Sequence, residues 1–307
     1  MNKDNLTFII PLTLILLCII GGGYYLFSTT GQDGEQEEQI VEKRTQYNLL
    51  VLLDLSDRVL KPRQVAKDTA IINYLFDFAV SDAKKNLFVN SRNSFNIIVA
   101  PQNTDTVISN AIYRISSSLT IQLNNISAVK RRTSLEKFKL IFFPALSELY
   151  SFALKNSNFV GADIWSFFKN DLKGMLQQTQ NQNDSIRNVL IVLTDGYLNF
   201  NSEIEKQREI EGFKTSYMER QFRNNPKWRK KFLTENHGLI PIDEDFGSIE
   251  VLVLEINPLF PNQPSELDMI KTYWQQWFTE MKIKRFKIYK TEDNLPLIKQ
   301  HLNDFLK

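Results

Sequence analysis

Two short acidic segments, each at the end of an aliphatic run, carry side chains able to bind a ligand. The first segment follows residues 49–53 and contains Asp54 and Ser56. The second follows residues 189–193 and reads Thr194-Asp195-Gly196. Unbroken aliphatic runs are typical of strands covered on both faces, and open α/β sheets bind their ligands at the carboxyl ends of such strands. The two segments therefore predict one binding site at that edge of a sheet.

The two segments resemble loops of the von Willebrand factor A (vWA) domain family, in which Asp-x-Ser follows the first strand and Thr-Asp-Gly a later one. The resemblance covers residues 45–307 and implies a doubly wound, mainly parallel α/β sheet. In that family the loops hold a divalent cation, and an acidic side chain of a protein partner completes its coordination. Mg²⁺ prefers oxygen ligands in octahedral geometry, so the resemblance implies Mg²⁺ or another divalent cation as the cofactor.

The match to the family loops is incomplete at two positions. The first family loop is Asp-x-Ser-x-Ser, and Arg58 stands at the final serine. The second family loop supplies a threonine before a helix, where this chain has Ala162 followed by Asp163. The ligand set that the resemblance implies is therefore Asp54, Ser56, Asp163 and Asp195.

Arg58 leaves two interpretations of the site open. Its guanidinium replaces the cation by pairing with Asp54 or Asp195, since arginine binds carboxylates through parallel hydrogen bonds. Alternatively, Arg58 points away and Asp163 compensates for the missing threonine. A third interpretation involves no ligand, because Asp and Ser are common helix N-caps and Thr-Asp-Gly is a common turn sequence. Each interpretation predicts different neighbours for the Asp54 carboxylate.

The N-terminal segment predicts a membrane anchor. Residues 6–27 contain no charged side chain, and about 20 apolar residues span a bilayer, whereas a cleaved signal core has only about 7–15. The only cysteine, Cys18, lacks the small residue that precedes a lipidated cysteine. We expect an uncleaved signal anchor at residues 1–28, a flexible acidic stalk at 29–44, and a single-pass protein. The positive-inside rule favours an extracytoplasmic position for the remaining residues.

Aliphatic runs alternate with helical periodicity along the rest of the chain. We predict strands at residues 47–53, 95–100, 121–126, 189–193, 248–256 and 283–289, and helices at 65–88, 133–154, 164–178, 203–232, 266–281 and 294–305. Such alternation is typical of α/β sheets. Residues 201–247 exceed the usual length of a connection and predict a charged helical insertion on the strand-end face.

The insertion interleaves basic and aromatic side chains. The candidate contacts for a protein partner are Arg220, Arg223, Lys227, Trp228 and Arg229, together with Arg58. Such segments also bind single-stranded nucleic acid, but a domain outside the cytoplasm does not meet it, and the net charge of +2 indicates no general affinity for polyanions. The alternative is an amphipathic helix with its aromatic residues packed inward.

Signatures of common enzyme classes are absent from the sequence. It contains no P-loop, no Gly-x-Gly-x-x-Gly after a strand and no Gly-x-Ser-x-Gly elbow. The two histidines, His237 and His301, are far apart and expected on the surface. A phosphohydrolase with an Asp54 nucleophile requires a second aspartate at the position of Ser56. We therefore expect a membrane-anchored module that binds a protein partner. The alternatives are a metal-free structural scaffold, an adaptor of an ATPase and, least favoured, an Asp-based hydrolase.

Overall fold

The computed structural model describes residues 43–101, 106–156, 161–179, 182–198, 209–210, 213–214, 222 and 225–307. The strands are β1 (Arg44–Leu53), β2 (Ser94–Val99), β3 (Thr120–Gln122), β4 (Asp184–Leu193), β5 (Glu209–Ile210), β6 (Phe213–Lys214), β7 (Ile249–Ile256) and β8 (Arg285–Lys290). Six of them form one sheet in the order β3-β2-β1-β4-β7-β8, in which only β3 runs antiparallel to its neighbour. β5 and β6 pair separately. The predicted α/β class with a mainly parallel sheet is confirmed.

The central strands are buried because helices cover both faces of the sheet. Alternate side chains of β1 enter different cores, with Leu49 and Val51 in one and Leu50 and Leu52 in the other. All eight residues of β7 are buried. This two-sided burial explains why the strands are unbroken aliphatic runs without an alternating polar face.

The helices that form these cores are α1 (Gln64–Lys85), α2 (Thr106–Ser117), α3 (Arg131–Lys155), α4 (Ile164–Asn170), α5 (Leu172–Met175), α6 (Trp228–Thr234), α7 (Pro264–Glu280) and α8 (Leu295–Leu306). Short 3-10 turns span Asp57–Leu60, Leu123–Asn125 and Ala128–Lys130. Helices α1, α2, α3 and α8 contribute to the first core, and α4, α5, α6 and α7 contribute to the second.

Several elements differ from the sequence-based predictions. Helix α2 was not predicted, and the described part of the predicted helix 203–232 contains β5, β6 and the start of α6. The predicted helix 164–178 is two short helices that end at Met175. The end of the second short helix is held by the sheet. Asn48 Nδ2 donates to Met175 O at 2.8 Å, and Gln177 N donates to Asn188 Oδ1 at 2.8 Å.

The predicted boundary between stalk and domain moves toward the N-terminus. β1 begins at Arg44, which pairs with Asp184 of β4, so this residue belongs to the sheet and not to the stalk. The anchor at residues 1–28 and residues 29–42 of the stalk lie outside the described residues. Among the helices of the described ranges, none combines the length and apolar content needed to cross a bilayer.

A buried ionic cluster attaches α8 to the sheet. The Glu250 carboxylate accepts hydrogen bonds from Arg187 at 2.9 Å and from Arg285 at 2.8 Å. Both arginines also donate to Phe305 O, and Arg187 donates to Leu306 O, at the last turn of α8. Burial acts to raise the pKa of Glu250, but the hydrogen bonds and charges of the two arginines outweigh it and lower the pKa below its usual 4.5.

Replacing Glu250 with Gln is expected to lower the free energy of unfolding at pH 7 by about 2–3 kcal/mol, because two arginines lose their counter-ion. A carboxylate whose pKa is lower in the folded state than in the unfolded state stabilises the fold at pH values above its unfolded pKa. This contribution is lost as the pH falls through the folded-state pKa. In urea titrations, the free energy of unfolding of the unmodified protein should therefore fall below about pH 4.5. The Glu250→Gln variant should not show the part of this fall that comes from Glu250. Asp293→Asn is the control, since the Asp293 side chain is 87% exposed. An unchanged acid profile in Glu250→Gln contradicts the assignment.

Candidate functional site

The Asp54 carboxylate lies at the carboxyl end of β1, beside the end of β4. The Asp54 backbone N–H donates to Leu193 O at 3.0 Å, which continues the β1–β4 ladder by one step. Asp54 Oδ2 accepts a hydrogen bond from Thr194 Oγ1 at 2.7 Å, and Oδ1 accepts one from Ser56 N at 2.9 Å. The strand order reverses between β1 and β4, so this carboxylate occupies the topological switch point, where open α/β sheets bind ligands.

Asp195 lies next to Asp54 and has a lysine as its counter-ion. Lys61 Nζ is 3.3 Å from Asp195 Oδ2, and Tyr197 N donates to Asp195 Oδ1 at 3.3 Å. Burial and, next in size, the negative charge of Asp54 raise the pKa of Asp195, while Lys61 and then Arg58 partly offset that rise. The two carboxylates therefore repel each other, and the Lys61 ammonium pairs with Asp195.

Gly196 is required by the turn after Asp195. Its φ of 97° is a left-handed conformation that residues with a Cβ rarely adopt. A Cβ at this position would also lie 2.7 Å from methyl groups of Ile256 and Ile270. Its N–H donates to Thr194 Oγ1 at 3.1 Å, and its carbonyl accepts from Trp274 Nε1 at 3.0 Å. The Thr-Asp-Gly sequence thus fixes the turn as well as supplying the carboxylate.

Arg58 is 1% exposed and binds a carboxylate that was not predicted to be part of the site. Its Nη1 and Nη2 donate to the two oxygens of Asp68 on α1, at 2.8 and 2.9 Å, and Nη1 also donates to Asp54 O at 2.9 Å. Burial acts to lower the pKa of Arg58, but the Asp68 charge and hydrogen bonds dominate and raise it. Arg58 therefore points away from the Asp54 and Asp195 carboxylates, as in the second interpretation, and is not available to a partner.

The Arg58–Asp68 pair continues into a buried polar network. Gln64 Nε2 donates to Asp68 at 2.9 Å and to Glu255 of β7 at 3.1 Å. Lys67 Nζ lies 2.9 Å from Glu255 Oε2, which also accepts from Thr291 Oγ1 at 2.7 Å. Glu255 has a φ of 73°, an uncommon left-handed conformation that non-glycine residues adopt mainly at strained or functional positions. The network connects α1 to the carboxyl ends of β7 and β8.

Tyr150 on α3 completes the environment of Asp68. Its Oη donates to Asp68 Oδ2 at 3.0 Å. Burial and then the Asp68 charge raise the pKa of Tyr150 well above its usual value of 10.0, so the hydroxyl stays protonated and remains a donor. Asp68 thus accepts hydrogen bonds from Arg58, Gln64 and Tyr150, which compensates for its complete burial.

An open cavity of about 660 Å³ adjoins Lys61 at this edge of the sheet. It lies at the carboxyl ends of β7 and β8 and in front of α8. Its lining consists mainly of polar and charged side chains: Lys61, Pro62, Gln64, Lys67, Asn257, Thr291, Glu292, Asp293 and Asn294. Sequence reasoning did not identify Lys61 or this cavity, although Lys61 is the only lysine within the loop that follows Asp54, at residues 54–63.

The predicted ligands Ser56 and Asp163 have different environments. Ser56 is 3% exposed, and its side chain makes no capping bond to the 3-10 turn that it precedes. Asp163 caps α4, because its oxygens accept from Ser166 N at 2.9 Å and Ser166 Oγ at 2.8 Å. Ala162 is fully buried in the second core. The capping interpretation was made for Asp54 and Ser56 and does not hold for Ser56, whereas Asp163, for which it was not made, does cap a helix.

Two of the four predicted ligands already interact with other groups. Of the four predicted ligands, Asp163 is committed to its helix, and Asp195 already faces the positive charge of Lys61, which repels a metal ion. Within the described ranges, no group of three or more His, Cys, Asp and Glu side chains is arranged to hold a metal ion.

The described part of the basic-aromatic segment packs inward. Trp228 is 5% exposed, and Phe232 contacts Tyr273 of α7 with ring centroids 4.8 Å apart. Arg229 forms an ion pair with Asp268 of α7, and Lys227 is exposed. This arrangement matches the amphipathic alternative. Of the predicted partner contacts, Arg220 and Arg223 lie outside the described residues.

The expectation that both histidines lie on the surface is wrong for His237. Its side chain is 1% exposed and packs against Phe222 with ring centroids 4.7 Å apart. The chain reversal at Asn236 and Gly238, both with positive φ, turns His237 into the second core. His301 stacks on Tyr289 with centroids 3.8 Å apart.

No protein-family model matches the chain, and no curated protein matches it. Among solved structures, the chain is similar to proximal thread matrix protein 1 from the mussel byssus, with 11% sequence identity and a TM-score of 0.34. The alignment covers 86% of this chain and 48% of that one, so the chain spans about half the length of that protein. This likeness is too small to bear on fold or function.

The buried Arg58–Asp68 pair predicts a large loss of stability when either partner is removed. Arg58→Met and Asp68→Asn are each expected to lower the free energy of unfolding by about 3–5 kcal/mol in urea titrations, because each leaves a buried group without its partner. Arg132→Met removes an exposed ion pair with Glu136 and should change stability by less than about 0.5 kcal/mol. A tolerated Asp68→Asn substitution would show that Arg58 has another counter-ion.

Removing the Lys61 ammonium is expected to create a response to Mg²⁺. In Lys61→Met, Asp54 and Asp195 keep their repulsion without a nearby lysine, so a divalent cation gains affinity for the folded state. Mg²⁺ at ten times its Kd should raise the Tm of this variant by about 3–5 °C, and should leave the Tm of the unmodified protein unchanged. The double variant Asp54→Ala/Lys61→Met should lose the response. An equal Tm shift in the unmodified protein would mean that the metal binds beside Lys61.

Proposed function

We propose that the chain is a membrane-anchored, vWA-like domain that binds a protein partner at the carboxyl edge of its sheet. In this proposal, Lys61 has the role that a divalent cation has in the family. The observation that carries the proposal is the cluster of Asp54, Thr194, Asp195 and Lys61 at the point where the strand order reverses. The order β3-β2-β1-β4-β7-β8, with helices on both faces, agrees with the doubly wound arrangement that the resemblance implies.

The electrostatics of Asp195 support a role beyond folding. An acid whose pKa is raised in the folded state makes the fold less stable at neutral pH than an acid with an ordinary pKa. Perturbed acids of this kind concentrate at functional sites, although structural ion pairs also produce them. Asp195 lies at the end of a strand and not in a core. In a core, a neutral side chain would fill the same space without this penalty.

The chemistry of the exposed groups favours an acidic side chain of the partner as the ligand. The Lys61 side chain is 32% exposed and adjoins the open cavity, while the Asp195 side chain is 9% exposed. A carboxylate approaching this edge therefore meets the ammonium group before it meets Asp195. Lys67 lines the same cavity, but it is already paired with Glu255 at 2.9 Å, so Lys61 is the lysine that binds the carboxylate in this proposal.

A site-specific photo-crosslinker tests the proposal in membranes from the source cell. Leu60 is the attachment point because it is 51% exposed and adjacent to Lys61. Irradiation is expected to give a discrete protein adduct at Leu60 and none at Leu140, which is 77% exposed on α3. Lys61→Glu should reduce the Leu60 adduct at least tenfold, because the partner's acid then meets a like charge, which costs about 1.4 kcal/mol or more.

Lys137→Glu is the matched control for the charge reversal, since Lys137 is exposed on α3 and outside the site. It should leave the Leu60 adduct unchanged.

The same binding through Mg²⁺ is the second candidate, and the mutual repulsion of Asp54 and Asp195 favours it. Loss of the adduct on chelation of divalent cations would select the Mg²⁺ version. An adduct insensitive to both chelation and Lys61→Glu would contradict both versions.

A further inference from the structure

The end of the domain opposite the candidate site exposes apolar side chains in an uncommon backbone conformation. After α1, Leu87 and Phe88 have φ values of 54° and 58°, and Phe88 N donates to Ala83 O at 2.8 Å to close the helix end. Glycine is the usual residue at such a left-handed position. Leu87 is instead 70% exposed, and Val89 is 46% exposed. The fold gains little burial from either side chain.

A second loop presents another apolar side chain on the same surface. Val129, in the 3-10 turn before α3, is 84% exposed. Arg131 joins the two loops, because its Nε donates to Ile126 O at 3.0 Å and its Nη1 donates to Val89 O at 2.5 Å. The tips of both loops therefore belong to one surface, which we call the basal surface.

Basic side chains surround these apolar tips. Lys84, Lys85 and Lys130 are exposed, and the Arg132 guanidinium lies 6.0 Å from the centre of the Phe88 ring. Burial, and to a smaller extent the charge of Arg92, lowers the pKa of Arg131. Among the described residues of these loops and the elements beside them, the acids are Asp82, Glu136, which pairs with Arg132, and Asp184, which is 2% exposed.

The chain enters the domain at the same surface. Arg44, the first residue of β1, and Arg92 both contact Asp184, at 3.1 and 3.5 Å. Residues 28–42 separate this point from the predicted membrane segment at residues 6–27, and 15 extended residues reach at most about 50 Å. In the predicted topology, a tether of this length would keep the basal surface within reach of the bilayer, at a high effective concentration.

We propose that the basal surface docks on an anionic phospholipid bilayer, with Leu87, Val89 and Val129 in the headgroup region and the surrounding lysines and arginines on the lipid charges. Apolar side chains flanked by basic ones are the combination that interfacial binding requires. The acidic stalk at residues 29–44 is the competing occupant by charge; its charged stretch at 31–38 has no apolar side chain, and Ile40 and Val41 come only four and three residues before β1 begins at Arg44. Docking directs the Asp54–Asp195 edge away from the membrane.

The test uses the full chain reconstituted in vesicles, with Cys18→Ser and a single Asn90→Cys carrying an environment-sensitive dye. Asn90 is exposed, directly follows Val89 and is not one of the proposed contacts. We expect blue-shifted emission and quenching by spin-labelled lipid in phosphatidylglycerol-containing vesicles, and neither in pure phosphatidylcholine. A dye at Leu259→Cys, which follows the carboxyl end of β7 and is 55% exposed, should show neither in either vesicle.

Two variants separate the charge contribution from the apolar one. Each basic residue near the lipid surface contributes roughly fivefold, so Lys84→Gln/Lys85→Gln should lower the ratio of docked to undocked protein roughly 25-fold. The control Lys137→Gln/Lys139→Gln on α3 should change this ratio less. Leu87→Asn keeps a residue that tolerates the left-handed conformation and should also reduce the quenching. Circular dichroism matching the unmodified protein shows that the variants fold.

Three outcomes would overturn the proposal. Equal emission in anionic and zwitterionic vesicles removes the lipid charge from the explanation. Unaltered quenching in the Lys84→Gln/Lys85→Gln and Leu87→Asn variants would show that these side chains do not contribute to docking. A blue shift in detergent that disappears on replacing Glu35, Glu37 and Glu38 with Gln assigns the surface to the stalk.

Discussion

The ten-residue pairing of β1 with β4 is the constraint on which both the fold and the candidate site depend. It runs from Arg44 opposite Asp184 to Leu53 opposite Leu193, and the hydrogen bond from Asp54 N to Leu193 O is its last step. Because side chains alternate between faces, a slip of one residue would exchange the side chains of β1 between the two cores. The same slip would separate the Asp54 carboxylate from Thr194. Core packing therefore enforces the position of the site without any contribution from a ligand.

The two basic residues after Asp54 have different roles, and one supports the other. Arg58 faces inward and holds the 3-10 turn against α1 through Asp68. The turn continues directly to Lys61, whose N–H donates to Arg58 O and whose carbonyl accepts from Gln64 N, both at 3.1 Å. Lys61 is therefore fixed at both sides of its backbone while its ammonium group extends to Asp195. Because its backbone is already held in place, forming the ion pair costs only the entropy of the side chain and no further ordering of the backbone.

The elements that sequence reasoning identified well are those whose burial is two-sided or strongly periodic. Aliphatic runs at residues 49–53, 189–193 and 251–254 predicted β1, β4 and β7, because strands covered on both faces are typically built from such runs. Helix α2 was missed because its buried residues, Ile112 and Ile115, lie in a segment rich in serine, threonine and asparagine, which are weak helix formers. The early end of α5 depends on side chains of Asn48 and Asn188 that are distant in sequence. Lys61 was missed because a loop lysine resembles any solvated lysine until its counter-ion is known.

The opposite placement of the chain entrance and the candidate site along β1 has a mechanical consequence. A tension applied at Arg44 and resisted at Asp54 acts along the strand axis. Both ends of this load are on the same strand, so the covalent backbone of β1 carries it and the hydrogen bonds to β2 and β4 are not sheared. In the proposed arrangement, a membrane tether and a bound partner would therefore pull on one continuous strand without opening the sheet around it.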